Sequence, residues 1–191
     1  NGWRYRLNAS TGFRAPNIDD VGKVFDSEPG RVVVPNDNLS PEYSGNIELG
    51  ISKRWEDRAR VSLTAYVTQV RDAMVRRAKS FNGRDSIFYD GELSETQAIQ
   101  NASSSLIYGG SFNARVALSP SWRLRGKYTY TEGETEAGAA VRHVAPPFGA
   151  AHLIYEPGRL KLDGYLKFNQ QIPYADLAPS ERGKPHLYAA N

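Results

Sequence analysis

Alternation of apolar and polar residues with a period of two, sustained well past the length of an ordinary strand, constrains this chain more than any other feature. Trp3, Tyr5, Leu7 and Ala9 alternate with Arg4, Arg6, Asn8 and Ser10. Tyr43, Ile47, Leu49 and Ile51 alternate with Ser44, Asn46, Glu48 and Ser52. Ala59, Val61, Leu63, Ala65 and Val67 alternate with Arg60, Ser62, Thr64, Tyr66 and Thr68. Three further runs begin at Leu106, Trp122 and Leu160, and set Arg115, then Arg123, Arg125 and Lys127, then Lys161, Asp163 and Lys167 on the polar side. A seventh run, Pro147 to Tyr155, is less regular because His152 sits among apolar neighbours. A period of two is the signature of a strand with unlike faces, and no segment holds a helical period over three turns. The expected fold class is all-β and antiparallel. Soluble strands peak near 5–6 residues; alternating strands of about ten residues suit a tilted crossing of a bilayer, with lipid on one face and a wet lumen on the other. Trp3, Tyr43, Trp55, Trp122, Tyr128, Tyr130 and Tyr155 fall near strand ends, where such barrels carry aromatic girdles.

The links between the runs support a barrel. Trp55–Arg58, Ser119–Ser121 and Glu156–Arg159 are tight, whereas Arg14–Pro41, Asp72–Ala102 and Glu132–Pro146 are long. Long and short links alternate, so in an up-and-down sheet all long loops share one end. An outer-membrane barrel has this asymmetry, with short periplasmic turns and long extracellular loops. Seven strands are too few to close one, because about eight is the minimum and open edges in lipid are not viable. Either the barrel reading fails or the chain is a piece of a longer protein, and the N-terminus, Asn1-Gly2-Trp3-Arg4, which reads as neither a start nor a signal peptide, hints at a piece.

Composition removes other classes. The longest uncharged run, Thr96 to Ala114, is rich in Ser, Gln and Asn, so no apolar helix of about 18 residues is available to cross a membrane. The 191 residues contain no Cys, which excludes disulfides, thiolate metal sites and thiol nucleophiles. A net charge of +3 is too mild to argue for nucleic acid as a partner. No G-x-S-x-G, G-x-G-x-x-G or Walker A pattern occurs, so no enzyme activity and no cofactor are expected.

Four segments carry a family resemblance, the first two most specifically. Thr11-Gly12-Phe13-Arg14-Ala15-Pro16-Asn17 resembles the FRAPN signature of TonB-dependent outer-membrane receptors. Pro35-Asn36-Asp37-Asn38-Leu39-Ser40-Pro41-Glu42-Tyr43, continuing to Gly50, resembles the family's PNxxLxPExSxxxELG stretch. Arg142 to Gly149 is similar to a later re-entry motif, and Gln171 to Tyr188 looks like an extracellular loop of receptors of Bacteroidetes type. The resemblance implies a partial receptor barrel over 1–191, about seven strands of a 22-stranded barrel, lacking the plug and the last strands. It implies uptake of a ferric siderophore, with cobalamin, haem or a glycan as other cargoes, driven by TonB–ExbB–ExbD through the missing plug. It places the chain in the outer membrane, against lipid and lipopolysaccharide. A passive barrel and a soluble all-β binding module are the alternatives. Read physically, Pro16 ends a strand ladder and the Pro-Asn-Asp-Asn cluster is turn chemistry, so both motifs are structural punctuation.

Candidate sites are sparse. His143, His152 and His186 stand at no metal-ligand spacing. Asp19, Asp20, Asp26 and Glu28 are acids in a long loop, better read as solvated charges than as a calcium site. The sequons at Asn8, Asn38 and Asn101 carry no weight in a bacterial outer membrane. The loop from Arg71 to Glu95 is the best ligand candidate, with Arg71, Arg76, Arg77, Lys79, Phe81 and Arg84 suited to an anionic aromatic ligand. Its acids, Asp72, Asp85, Asp90, Glu92 and Glu95, cancel the net charge. Arg4, Arg6, Arg60, Arg123 and Arg125 on the polar face are expected to pair with carboxylates such as Glu48 and with the plug.

Overall fold

The structure, a computed structural model, describes residues 2–101, 104–173 and 177. His186, most of the Gln171–Tyr188 stretch and part of the Asn101 sequon lie outside the described residues. The elements in chain order are β1 (Trp3–Arg14), α1 (Ile18–Val21), β2 (Phe25–Glu28), β3 (Arg31–Val33), β4 (Glu42–Trp55), β5 (Ala59–Arg71), β6 (Met74–Ala78), β7 (Ser86–Tyr89), β8 (Glu92–Asn101), β9 (Ser105–Ala117), β10 (Trp122–Thr135), β11 (Phe148–Tyr155) and β12 (Leu162–Asn169).

All seven alternating runs are strands. They form one sheet in the order β1-β4-β5-β9-β10-β11-β12, which is the order of the chain with the shorter strands left out. This wall is open at β1 and β12, so it is part of a barrel and not a closed one. In β9 to β12 the antiparallel register separates the faces. Tyr128 lies opposite Phe112 and Gly149, Leu124 opposite Val116 and Leu153, and Ala151 opposite Leu166. On the other face Arg125 lies opposite both Arg115 and His152. Among the described residues nothing covers the apolar face: Leu7 is 74% exposed, Leu63 55% and Leu166 67%. Gly149 is needed there, because a Cβ would collide with the Phe168 ring. Its absence lets the rings of Tyr128 and Phe168 stack at 6.3 Å across the intervening strand.

Two of the long links, Arg14–Pro41 and Asp72–Ala102, carry strands of their own. The described residues divide into two compact units, one from Asn1–Ser10, Gly45–Gln69 and Ser105–Asn191, the other from Thr11–Ser44 and Val70–Ser104. The second unit holds its own sheet, β2-β3-β8-β6, with β7 also paired to β8. Strand β3 runs parallel to β8, with Val32 opposite Thr96 and Val33 opposite Gln97. Val32, Val34 and Ala98 are fully buried, and Val24, Phe81, Ile87 and Tyr89 pack against them. The alternation signal fails here for a physical reason. The inward side of β8 carries Ser94, Thr96 and Ala98, while Leu93 is 62% exposed, so hydrophobicity points to the wrong face.

Candidate functional site

The two signature motifs turn out to be fasteners within the loop unit. Asn17 caps α1: its side chain accepts from the amides of Asp19 and Asp20, and the Asp20 carboxylate accepts from the Asn17 amide at 3.0 Å. Arg14 then donates to both Asp20 carboxylate oxygens at 3.0 Å. Asp20 is thus a buried, doubly engaged carboxylate, and Asp19 pairs with Lys23 at 3.4 Å. In the second motif, buried Asn36 donates to the Ile99 carbonyl at 2.6 Å and accepts from Lys79 Nζ at 2.6 Å. Asn101 accepts from the Ser40 amide at 2.8 Å and donates to the carbonyls of Ser40 and Asp72. Glu42 accepts from the Met74 amide at 2.9 Å. Reading these motifs as turn punctuation finds their position but misses the long-range bonds their side chains make.

The candidate ligand residues do not converge on one spot. Arg71 ends β5 on the side of the alternation that carries Leu63 and Val67. Arg76 and Arg77 are exposed neighbours on β6, and the Arg76 guanidinium lies 5.6 Å from the Phe25 ring centre. Arg84 is exposed, and its carbonyl accepts from the Thr96 hydroxyl at 3.3 Å. Lys79 is committed to Asn36, and Phe81 packs against the small core. The sequence reading missed the β7–β8 hairpin. Its turn, Asp90-Gly91, has positive φ at both residues, and it presents the cross-strand pair Phe88 and Leu93, 77% and 62% exposed. An Asp-Gly pair between short strands was the available signal.

The polar face of the wall gathers more charge. A concavity of about 430 Å³ is lined by Arg60, Ser62, Asn113, Arg115, Arg125, Lys127 and His152, among others. Arg115 and Arg125 face each other across the β9–β10 ladder, a like-charge pairing that is unfavourable unless water or an anion compensates it. The expected pairing with Glu48 is not found: among the described residues no carboxylate pairs with Arg60, Arg115 or Arg125. Glu156 takes both Arg123 and Lys161, and Asp163 takes His152 Nδ1 at 3.0 Å. His152 also lies 5.4 Å from the Tyr165 ring, which accounts for its place among apolar neighbours. The described residues contain no cluster of three or more His, Asp or Glu that could hold a metal ion.

Long up-and-down strands, uncovered and apolar on one face and basic on the other, define a wall of a transmembrane β-barrel. Residues 1–180 match the model of the TonB dependent receptor-like β-barrel family, and the chain belongs to that family. It is an outer-membrane chain, and an uncovered apolar face on such a wall is the one suited to lipid. The iron-regulated outer membrane virulence protein of Vibrio cholerae is 29% identical over 140 residues, 71% of this chain and 21% of that protein. The chain therefore spans about a fifth of the curated relatives it matches. Among solved structures, the ferric enterobactin receptor PfeA of Pseudomonas aeruginosa, in complex with enterobactin, is similar with a TM-score of 0.72 and 16% identity, over 87% of this chain and 26% of that one. The siderophore receptor PirA of Pseudomonas aeruginosa gives 0.65 and 19% over 87% and 31%, and the copper transporter OprC gives 0.66 and 17% over 88% and 24%. At these identities the structures share the fold.

Proposed function

We propose that this chain is part of the barrel of an active-transport receptor that takes up a ferric siderophore or a similarly large, scarce nutrient, and that it makes and breaks no bonds. The observation that carries the reading is the family match running over residues 1–180 of a wall with folded loops. On this reading 1–191 is one partial barrel domain, and import is driven by TonB–ExbB–ExbD through a plug encoded elsewhere in the protein. The basic polar face, with Arg60, Arg115, Arg125 and Lys127 lacking carboxylate partners among the described residues, favours an anionic cargo. In the loop unit, Arg76, Arg77 and Arg84 are the proposed ligand contacts, while Lys79 and Phe81 hold the surface in shape and Arg71 stands apart on the Leu63 side of β5.

The test is uptake of radioactive iron by cells that depend on the full-length receptor, under iron limitation and with a panel of siderophores. TonB-dependent uptake of one of them is the expected result, and the Arg76→Ala, Arg77→Ala and Arg84→Ala triple variant should reduce it. Uptake of copper alone would reassign the cargo. Flux that persists without TonB would point to a passive barrel.

A further inference from the structure

The lipid face holds one charge that its surroundings do not explain. On the strands of the wall, residues alternating onto that face are uncharged, and apolar or aromatic but for Thr11 and Gln69, apart from Arg71, Glu132 and Glu134 at the end bearing the long links and Lys53 at the tight-turn end. Lys53 lies two residues before the end of β4. Its ammonium sits 4.8 Å from the Trp3 ring centre and 4.7 Å from that of Trp55. Both indoles are close to half exposed, Trp3 at 47% and Trp55 at 45%. Of the two acids in the β4–β5 turn, Asp57 is taken by Arg54 at 3.7 Å and Glu56 makes no ion pair with Lys53, and no carboxylate among the described residues pairs with Lys53.

A lysine between two indoles is fixed in direction and stripped of part of its water, yet its N–H groups still require an acceptor. On a face turned to lipid, two residues from a strand end, the available acceptor is at headgroup height. An anionic phosphate resting above the two indoles satisfies the donors and keeps the cation in place. The tight-turn end is the periplasmic end of such a barrel, where the leaflet is phospholipid. From this we infer that Trp3, Lys53 and Trp55 form a binding site for the phosphate of an anionic phospholipid in the inner leaflet of the outer membrane. The indoles flank the glycerol region and Lys53 donates to the phosphate oxygens. The site is independent of which cargo the receptor carries.

Native mass spectrometry of the full-length receptor, purified with phosphatidylglycerol and with phosphatidylcholine, tests this. Wild type should retain phosphatidylglycerol preferentially. Lys53→Gln should weaken that retention about fivefold, the factor one lysine contributes at an anionic surface. Lys53→Arg should keep most of it, and Trp3→Ala with Trp55→Ala should reduce it with the charge still present. Heat-modifiable migration of each variant verifies that the barrel is folded. Equal retention by wild type and Lys53→Gln would overturn the site. So would displacement of the lipid by millimolar inorganic phosphate, which would make it a plain anion site, or a preference for lipopolysaccharide over phosphatidylglycerol.

Discussion

The wall and the loop unit are both β structure, and they are stabilised in opposite ways. The wall leaves Leu7, Leu63 and Leu166 uncovered by protein, and its few buried apolar residues, Ala150 and Ile154, lie on β11. Its strands hold through long ladders and through the lipid that replaces a core. The loop unit has strands of three to five residues apart from β8, and it buries Val32, Val33, Val34 and Ala98 completely. It adds side-chain fasteners: Arg14 to Asp20, Asn36 to Lys79 and Ile99, and Asn101 to Ser40 and Asp72. A strand that can rely on a bilayer needs only alternation. A strand outside one needs a closed core or explicit polar partners.

Three experiments on the full-length receptor sharpen that contrast. The largest effect is expected on the wall. Leu63→Arg or Leu49→Arg on the lipid face should cost about 2–4 kcal/mol, measured by urea unfolding from lipid vesicles. Ser62→Arg on the basic polar face should cost under about 1 kcal/mol, since its neighbours are like charges that stay in water. Equal costs would reverse the assignment of faces. Next comes Asn36→Ala, which leaves Lys79 Nζ and the Ile99 carbonyl without their partner and should destabilise the loop sheet by about 1–3 kcal/mol. Faster hydrogen exchange in β3 and β8 with no change in β9 and β10 would verify it, and uniform acceleration would deny the loop unit its own stability. The smallest is Asn17→Ala, a lost helix cap of about 0.5–2 kcal/mol, read as local exchange over residues 17–22.

The wall was legible in the sequence because each strand carries its own evidence. Leu63 and Ser62 declare their faces without reference to any partner strand, and the tight turns give the order. The loop unit was not legible, because its strands are defined by who pairs with them. Ser94, Thr96 and Ala98 read as a polar stretch until Val32 and Val34 are placed against them. The candidate ligand residues suffered in the same way. Composition picked out Lys79 and Phe81 correctly as cationic and aromatic, but only the fold shows that Asn36 and the small core already occupy them. Arg115, Asn113 and Lys127 emerged as a group only once the β9–β10 register put them on the face of Arg125.

The Asn36–Ile99 bond joins positions 63 residues apart, and β3 reaches its parallel partner β8 across a similar span. Between them lies the whole β4–β5 hairpin, which can zip up from the turn at residues 56–58 by contacts between near neighbours. Closing a loop of that length in an unformed chain forfeits much entropy, whereas after β4 and β5 have paired most of the separation is already bridged. On that entropic ground the β4–β5 hairpin pairs before β3 meets β8, and the long-range sheet waits on the local one.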